Sequence, residues 1–418
     1  MAQEQPVAAL VVAVSESIDS AVYSINRLQP DSLCFALPER AKPLVEIDLQ
    51  PRIAKMPRRW DWVVLPDIGS FSSCQETLAR SLPALLATWG VGPGAVVVDI
   101  TGATPPMAGA LTLVTLPYTS RVISLVDLAE GRHGDLVSVG GQDRLWIHVN
   151  PWNEAAESAR RDASEFFNRG SFAAAGSVFR HIERMVSGGQ KPLYRAFADL
   201  ADAYDFWERF QYRQAWDKLK GSTKALDMAS LFGGPPGVKV LLPSLKAHVG
   251  FLEKLVLDPA EVKDGLVMDL LAHAGRRLHQ HRDPEGTMVV LMRALEALAQ
   301  RRLFTSHHIK SWDVRPEQLP RTLQDTCRTC FLEDVDGKYK LPLQAQFRAL
   351  AELGDQVGQS FLREWPSMKP LFDAAHHAVL GHGFESVKAE RVQQFHDVVL
   401  RLAGVTESSL VKFPVLNL

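Results

Sequence analysis

Histidine is the side chain whose ordinary pKa suits proton transfer near neutral pH, and nine of the 13 histidines in this chain fall after residue 270. Three of them crowd into LFDAAHHAVLGHGFESV (371–387): His376, His377 and His382. An imidazole placed there could take a proton from a reacting hydroxyl or return one to a leaving group. Adjacent helical residues point about 100° apart, so at most one of His376 and His377 shares a face with His382. Upstream, in VVLMRALEALAQRRL (289–303), Arg293 and Glu296 lie three apart, which is also the spacing of a simple intrahelical ion pair. Taken alone, these residues read as structural, a helix surface and a helix end. Hydroxyls gather near the other end of the chain. Ser15-Glu16-Ser17 follows one apolar run, and Thr101-Gly102-Ala103-Thr104-Pro105-Pro106-Met107 follows another, each just before a helical pattern. Hydroxyls, a glycine and an early helical proline suit a phosphate or a nucleotide, and they suit helix capping just as well. Cys327 and Cys330 form a lone CxxC. His307-His308 is the nearest second pair and its spacing fits no familiar zinc site, so no metal centre is expected.

The elements that must hold these residues divide the chain in three. Residues 1–150 read as α/β. The runs AALVVAV (8–14), DWVVLP (61–66), AVVVDI (95–100), RVISLV (121–126) and RLWIHV (144–149) are short and apolar, as in strands covered on both faces of a parallel sheet. Helical spacing fills Ile18–Leu28 and Gln75–Trp89 between them. From Pro151 the strand-like runs stop, and residues 151–261 read as a helical spacer with a clear break at SLFGGPPGVKVLLP (230–243). Residues 262–418 read as a second helical domain with a polar interruption at Thr305–Asp336. The 418 residues carry 46 Lys and Arg against 48 Asp and Glu, a net charge of -2, which speaks against a DNA-packing protein or an acidic tail. No apolar run approaches the roughly 20 residues of a membrane span, and the opening lacks a basic region ahead of its apolar stretch, so a cytoplasmic protein without a membrane anchor is expected. No GxGxxG follows the first strand and no GxxxxGK[ST] occurs, which disfavours a dinucleotide-dependent dehydrogenase or a P-loop NTPase.

The run VVVDITGATPPMAGAL (96–111) resembles the D-[IV]-T-G-G-T-K-x-M signature of CARF domains, the Rossmann-like sensors of CRISPR type III accessory proteins. Asp99, Thr101, Gly102, Thr104 and Met107 match, while Ala103 and Pro105 replace the family's Gly and Lys. AALVVAVSESIDSAVYSINRLQPD (8–31) is similar to that family's first strand, ligand loop and helix. The resemblance implies a cyclic oligoadenylate, tetra- or hexa-adenylate, held by Ser15, Glu16, Ser17, Thr101, Gly102, Ala103, Thr104 and Met107 across a homodimer. At the far end, Leu380, His382, Gly383 and Phe384 resemble the R-N-x-S-x-L-A-H-G-F motif of the HEPN ribonucleases joined to CARF domains. Arg293 and Glu296 look like that family's Y-R-A-L-E helix.

The resemblance therefore implies an α/β Rossmann-like N-terminal sensor, an all-α spacer and an all-α HEPN-like C-terminal domain. Its implied activity is metal-independent cleavage of single-stranded RNA, activated allosterically by cyclic oligoadenylate, with His382, His376, His377, Arg293 and Glu296 as candidate catalytic residues. The family arginine is missing. A strict alignment puts Ala375 in its place, and a one-residue shift puts His376 there. An imidazole lacks the permanent charge and the fork of a guanidinium. Two further readings stay open: a sensor whose HEPN domain has lost catalysis, and CARF loops that themselves slowly cut the cyclic ligand.

Overall fold

The computed structural model describes residues 7–128, 130–231, 234–257, 264–332 and 336–418. The chain forms two compact units, one of residues up to Asp162 together with Ser177–Arg195, the other of Ala163–Gly176 together with Ala196–Leu418.

The first unit is built on a seven-stranded sheet of β1 (Ala9–Ala13), β2 (Ser32–Leu37), β3 (Arg59–Val64), β4 (Val96–Asp99), β5 (Thr119–Asp127), β6 (Asp135–Val139) and β7 (Gln142–Val149), in the order β3-β2-β1-β4-β5-β7-β6. β1 to β5 run parallel. Alternate side chains of β1 divide between two cores. Leu10 and Val12 pack with Ile18, Val22 and Ile25 on the side of α1 (Asp19–Leu28). Ala9, Val11 and Ala13 pack with Leu78, Leu82 and Leu111, from α2 (Phe71–Thr88) and α3 (Pro105–Thr115). Strands covered on both faces have no polar side to show, which is why they read as continuous apolar runs.

Two features differ from the sequence expectation. Two strands lie outside the five expected runs: SLCFAL, fully buried as β2, has no Val, Ile or Thr to mark it, and DLVSV, mostly exposed as β6, forms no continuous apolar run. RLWIHV is a strand, but β7 pairs antiparallel with β5 and with β6, so the sheet is mixed rather than parallel. A parallel neighbour needs a crossover of a dozen or more residues. Here β6 turns straight into β7 through Gly140–Gly141, both at positive φ, and antiparallel pairing is the outcome.

Helices follow: α4 (Trp152–Asn168), α5 (Phe172–Met185), α6 (Lys191–Glu208), α7 (Tyr212–Leu231) and α8 (Pro236–Leu257). The break expected over 230–243 is shorter, since helix resumes at Pro236, a residue well suited to a first helical position. The expected boundary at 261–262 lies outside the described residues. The remaining helices are α9 (Asp264–His279), α10 (Pro284–His307), α11 (Arg321–Cys330), α12 (Leu343–Glu352), α13 (Gln356–His377) and α14 (Ala389–Ala403). α10 is the centre of their bundle, packed by α9, α12, α13 and α14. Its buried residues Leu291, Ala294, Leu295 and Leu298 have the three-and-four spacing of a core face. The expected polar interruption over 305–336 itself contains α11. Among the described residues, no helix is long and apolar enough to cross a membrane.

Candidate sensor loops and histidine cleft

The two hydroxyl-bearing loops meet at the carboxyl ends of β1 and β4, where an open α/β sheet places its ligands. Ser15 Oγ donates to the Gly102 carbonyl at 2.6 Å. Gly102 has to be glycine, because a Cβ there would lie 2.5 Å from the Ala13 carbonyl oxygen. Asp99, buried at the end of β4, organises the second loop. It accepts from Ser24 Oγ at 2.5 Å, from Thr101 Oγ1 at 2.6 Å and from the Thr101 N–H at 2.9 Å. Burial pushes the Asp99 carboxyl up against the lowering effect of those hydrogen bonds.

The sequence-predicted ligand residues thus fall into two kinds. Thr101 Oγ1, besides bonding Asp99, accepts from the Leu125 N–H at 3.0 Å. Thr104 caps α3 by accepting from the Met107 N–H at 3.4 Å, and its hydroxyl donates to the Ile68 carbonyl. Met107 is fully buried among Leu111, Leu78 and Val98, so its side chain serves the core. Glu16 and Ser17 are exposed, and Ser15, Gly102 and Ala103 are half-buried at the loop surface.

At the other end of the chain, α13 stops at His377 and the following segment folds back on it. The His382 N–H donates to the His376 carbonyl at 2.9 Å, and the Glu385 N–H donates to the His377 carbonyl at 3.0 Å. The His376 and His382 rings lie nearly parallel, 6.0 Å apart at 16°. Both border a cleft of about 190 Å³, with Met288, Val289 and Met292 of α10 on the opposite wall. His377 does not line it. Ala375 does, but it is buried in the bundle core. Gly383 lets the fold-back happen, since a Cβ there would sit 2.2 Å from the His377 carbonyl oxygen.

Arg293 and Glu296 are not brought to this cleft. Arg293 donates to Glu296 at 3.1 Å and to Gln300 at 3.1 Å along its own helix face. The structure adds Glu285, which sequence reasoning did not single out. One of its oxygens accepts from the Val387 N–H at 2.8 Å, tying α10 to the segment after His382. The other is buried with no hydrogen-bond partner among the described residues. A glutamate in a helix's first turn, as in Asp283-Pro284-Glu285, ordinarily reads as helix-dipole chemistry, so only the long-range contact reveals it. Cys327 is buried and Cys330 exposed. Among the described residues, no group of three or more His, Cys, Asp or Glu could hold a metal ion.

An α/β sheet with two polar loops at its carboxyl edge, followed by helical domains, is the layout of a Rossmann-like unit joined to helical domains. Family models agree on the helical parts: residues 261–406 match the Csm6 HEPN domain and residues 155–252 the Csm6 6H domain. The chain belongs to the CARF–HEPN family of CRISPR type III accessory proteins. Among solved structures it is similar to Enterococcus italicus Csm6 bound to cyclic hexa-2'-fluoro-hexa-dAMP, with 11% identity, 96% of each chain covered and a TM-score of 0.58. A second, Can2 from Sulfobacillus thermosulfidooxidans in complex with cyclic tetra-adenylate, has 12% identity, 53% of this chain and 68% of that chain covered, and a TM-score of 0.24. No curated protein matches the sequence.

Proposed function

We propose that this chain is a CRISPR type III accessory effector: a cytoplasmic, homodimeric endoribonuclease that cuts single-stranded RNA without a metal ion when cyclic oligoadenylate binds its sensor loops. The division into a sensor (1–150), a spacer (151–261) and a HEPN-like domain (262–418) belongs to the same proposal. The observation that carries it is the pair of stacked imidazoles, His376 and His382, on one cleft within the region matched by the HEPN model. One imidazole takes the proton of a ribose 2′-hydroxyl, which attacks the adjacent phosphorus. The other protonates the departing 5′-oxygen, leaving a 2′,3′-cyclic phosphate. Arg293 and Glu296 stand outside this reacting centre. On the sensor side, Ser15, Glu16, Ser17 and the backbone of Gly102–Ala103 present the accessible polar groups, while Thr101 and Thr104 hold the loop in shape.

A second copy of the chain is supported by the surface beside the cleft. Phe384 is 98% exposed, with Val379 and Leu380 each 59% exposed, an apolar group that a symmetry mate would cover. One observation favours the degenerate-sensor reading: among the described residues lining the cleft there is no arginine to stabilise charge on the phosphorane. A fluorogenic RNA assay in EDTA, run with cyclic tetra- and hexa-adenylate and paired with light scattering, separates the two. Cleavage that leaves cyclic phosphate ends is the expected result. Ligand-induced thermal stabilisation without cleavage selects the sensor, and no response to any ring size overturns both readings.

A further inference from the structure

The first unit carries a second cleft, at the edge of the sheet opposite the sensor loops. It has a volume of about 1140 Å³ and opens where β1 and β4 begin, at Val7–Ala8 and Gly94–Ala95. Around it stand Arg121 at the start of β5, Arg184 on α5, Lys191 at the start of α6 and His148 near the end of β7. Glu154 is the one carboxylate among the described lining residues, set against the cations Arg184 and Lys191. Neither Arg184 nor Lys191 has an ion-pair partner among the described residues. Elsewhere in this unit cations are matched locally, as Arg52 is with Asp19 and Lys42 with Glu39. The ring of His181 nearby is held below its ordinary pKa by burial and then by the charge of Arg184.

The walls of the cleft are fixed by bonds that cross it at its base. Asn150 Nδ2 donates to the Met185 carbonyl at 2.7 Å, and Asn153 Oδ1 accepts from the Ser187 N–H at 3.0 Å. Those bonds set the α5–α6 connection against the start of α4, so Arg184 and Lys191 stand on a braced rim. At Gly188 no side chain covers the backbone, and a Cβ there would meet nothing within 4 Å.

From this arrangement we infer that the amino-edge cleft binds the phosphate backbone of single-stranded nucleic acid, independently of the cyclic-nucleotide loops and of the histidine cleft. Its volume exceeds the roughly 300–1,000 Å³ usual for small-molecule pockets. Unneutralised cations on a fixed rim are the groups that displace counterions from a polyphosphate strand. The lining holds no Phe, Tyr or Trp for base stacking, so contact runs to the backbone and not to sequence.

The test uses the full chain and a fluorescein-labelled single-stranded DNA of roughly ten nucleotides, which lacks the 2′-hydroxyls needed for cleavage. Anisotropy is read at low salt and at roughly fourfold higher salt. The parent should bind with salt-dependent affinity. R184E/K191E should bind about tenfold or more weakly at low salt, and its log–log salt slope should be shallower by about 1.4, the value for two lost single-strand phosphate contacts. Stabilisation by cyclic oligoadenylate should stay as in the parent. R184Q/K191Q, which removes the charges without reversing them, should show the same slope change with an unaltered melting temperature, which separates lost contacts from misfolding. Equal affinity and slope in parent and both variants overturns the inference. So does binding of inorganic triphosphate, read by thermal shift, with no binding of the strand, because the cleft would then serve a small polyanion.

Discussion

His376 and His382 face one cleft, and His377 turns away from it, so the three histidines should separate in a mutational series. His382→Ala is expected to lower the activated cleavage rate by about 10²–10⁴-fold, the loss typical of a general acid or base, with thermal stability unchanged because the side chain is exposed. His377→Ala should leave the rate close to the parent. Ala375 is buried, so a guanidinium there would lose its hydration, and position 376 is where an arginine could be accommodated. His376→Arg would supply a permanent charge but remove one imidazole of the proposed acid–base pair, so the activated rate is expected to fall. Initial rates with fluorogenic RNA check all three, and an unchanged His382→Ala enzyme would remove the site assignment. In the sensor, Thr101→Ala strips a partner from both buried Asp99 and the Leu125 N–H. It should cost about 1–3 kcal/mol of folding stability before ligand is added. Ser17→Ala, at an exposed hydroxyl, should leave the apo melting temperature alone and reduce only the shift produced by cyclic oligoadenylate.

At the scale of elements, the proposed pairing of His376 with His382 depends on α13 stopping at His377 and the chain folding back over its last turn. Gly383 permits that close pass, and the added methyl of Gly383→Ala would run into the His377 carbonyl. Forcing a group into such a gap typically costs about 1–3 kcal/mol. Gly383→Ala is thus expected to lower the melting temperature and abolish cleavage together, while ligand-induced stabilisation of the sensor persists. A variant as stable and as active as the parent would show that the fold-back tolerates a side chain. Glu285 braces the same segment from α10 through the Val387 N–H, an arrangement no local pattern in either stretch announces.

For the molecule as a whole, acid should act through the polar core of the second unit. Tyr204 and Glu208 of α6, Tyr212 of α7, His248 of α8 and Asp269, His273 and Arg276 of α9 meet there. Burial would raise the pKa of Glu208, but the His273 hydrogen bond and the charges of Arg276 and His273 outweigh it and hold the group at about 2. His248 is pushed down from 6.5 to about 4, by burial first and by Arg276 second. The unfolded chain takes up a proton at His248 below about pH 6.5, whereas the folded chain refuses it until about pH 4. That contribution is complete above pH 6.5 and is lost as the pH falls toward 4. Its size is about 3 kcal/mol. Asp269, whose carboxyl burial pushes up, acts in the opposite sense above its ordinary value of 3.8, so the difference between parent and variant is the quantity to measure. Urea unfolding between about pH 7 and pH 4.5 should show the parent losing more stability than His248→Gln. Parallel pH profiles would place the acid response elsewhere.

Local chemistry along the chain already determined a good deal. The β-branched runs read as strands because burial on both faces leaves them no polar positions, and the TGATPP and HGF segments carried the family likeness. What the sequence left open was decided by contacts between distant segments. β2 carries no such mark, because strand pairing can recruit Leu, Cys, Phe and Ala as readily as β-branched residues. The antiparallel direction of β7 is set by the tight Gly140–Gly141 turn out of β6. Spacing alone allowed either His376 or His377 to partner His382, and the fold-back after α13 chose His376. The hydroxyls of Thr101 and Thr104 looked like ligand groups until Asp99, Leu125 and Ile68 came within bonding distance of them. A local pattern records which groups are present. The tertiary fold determines which of them are used up in holding the loop and which still face solvent, because a hydrogen bond already made inside the protein is not available to a ligand.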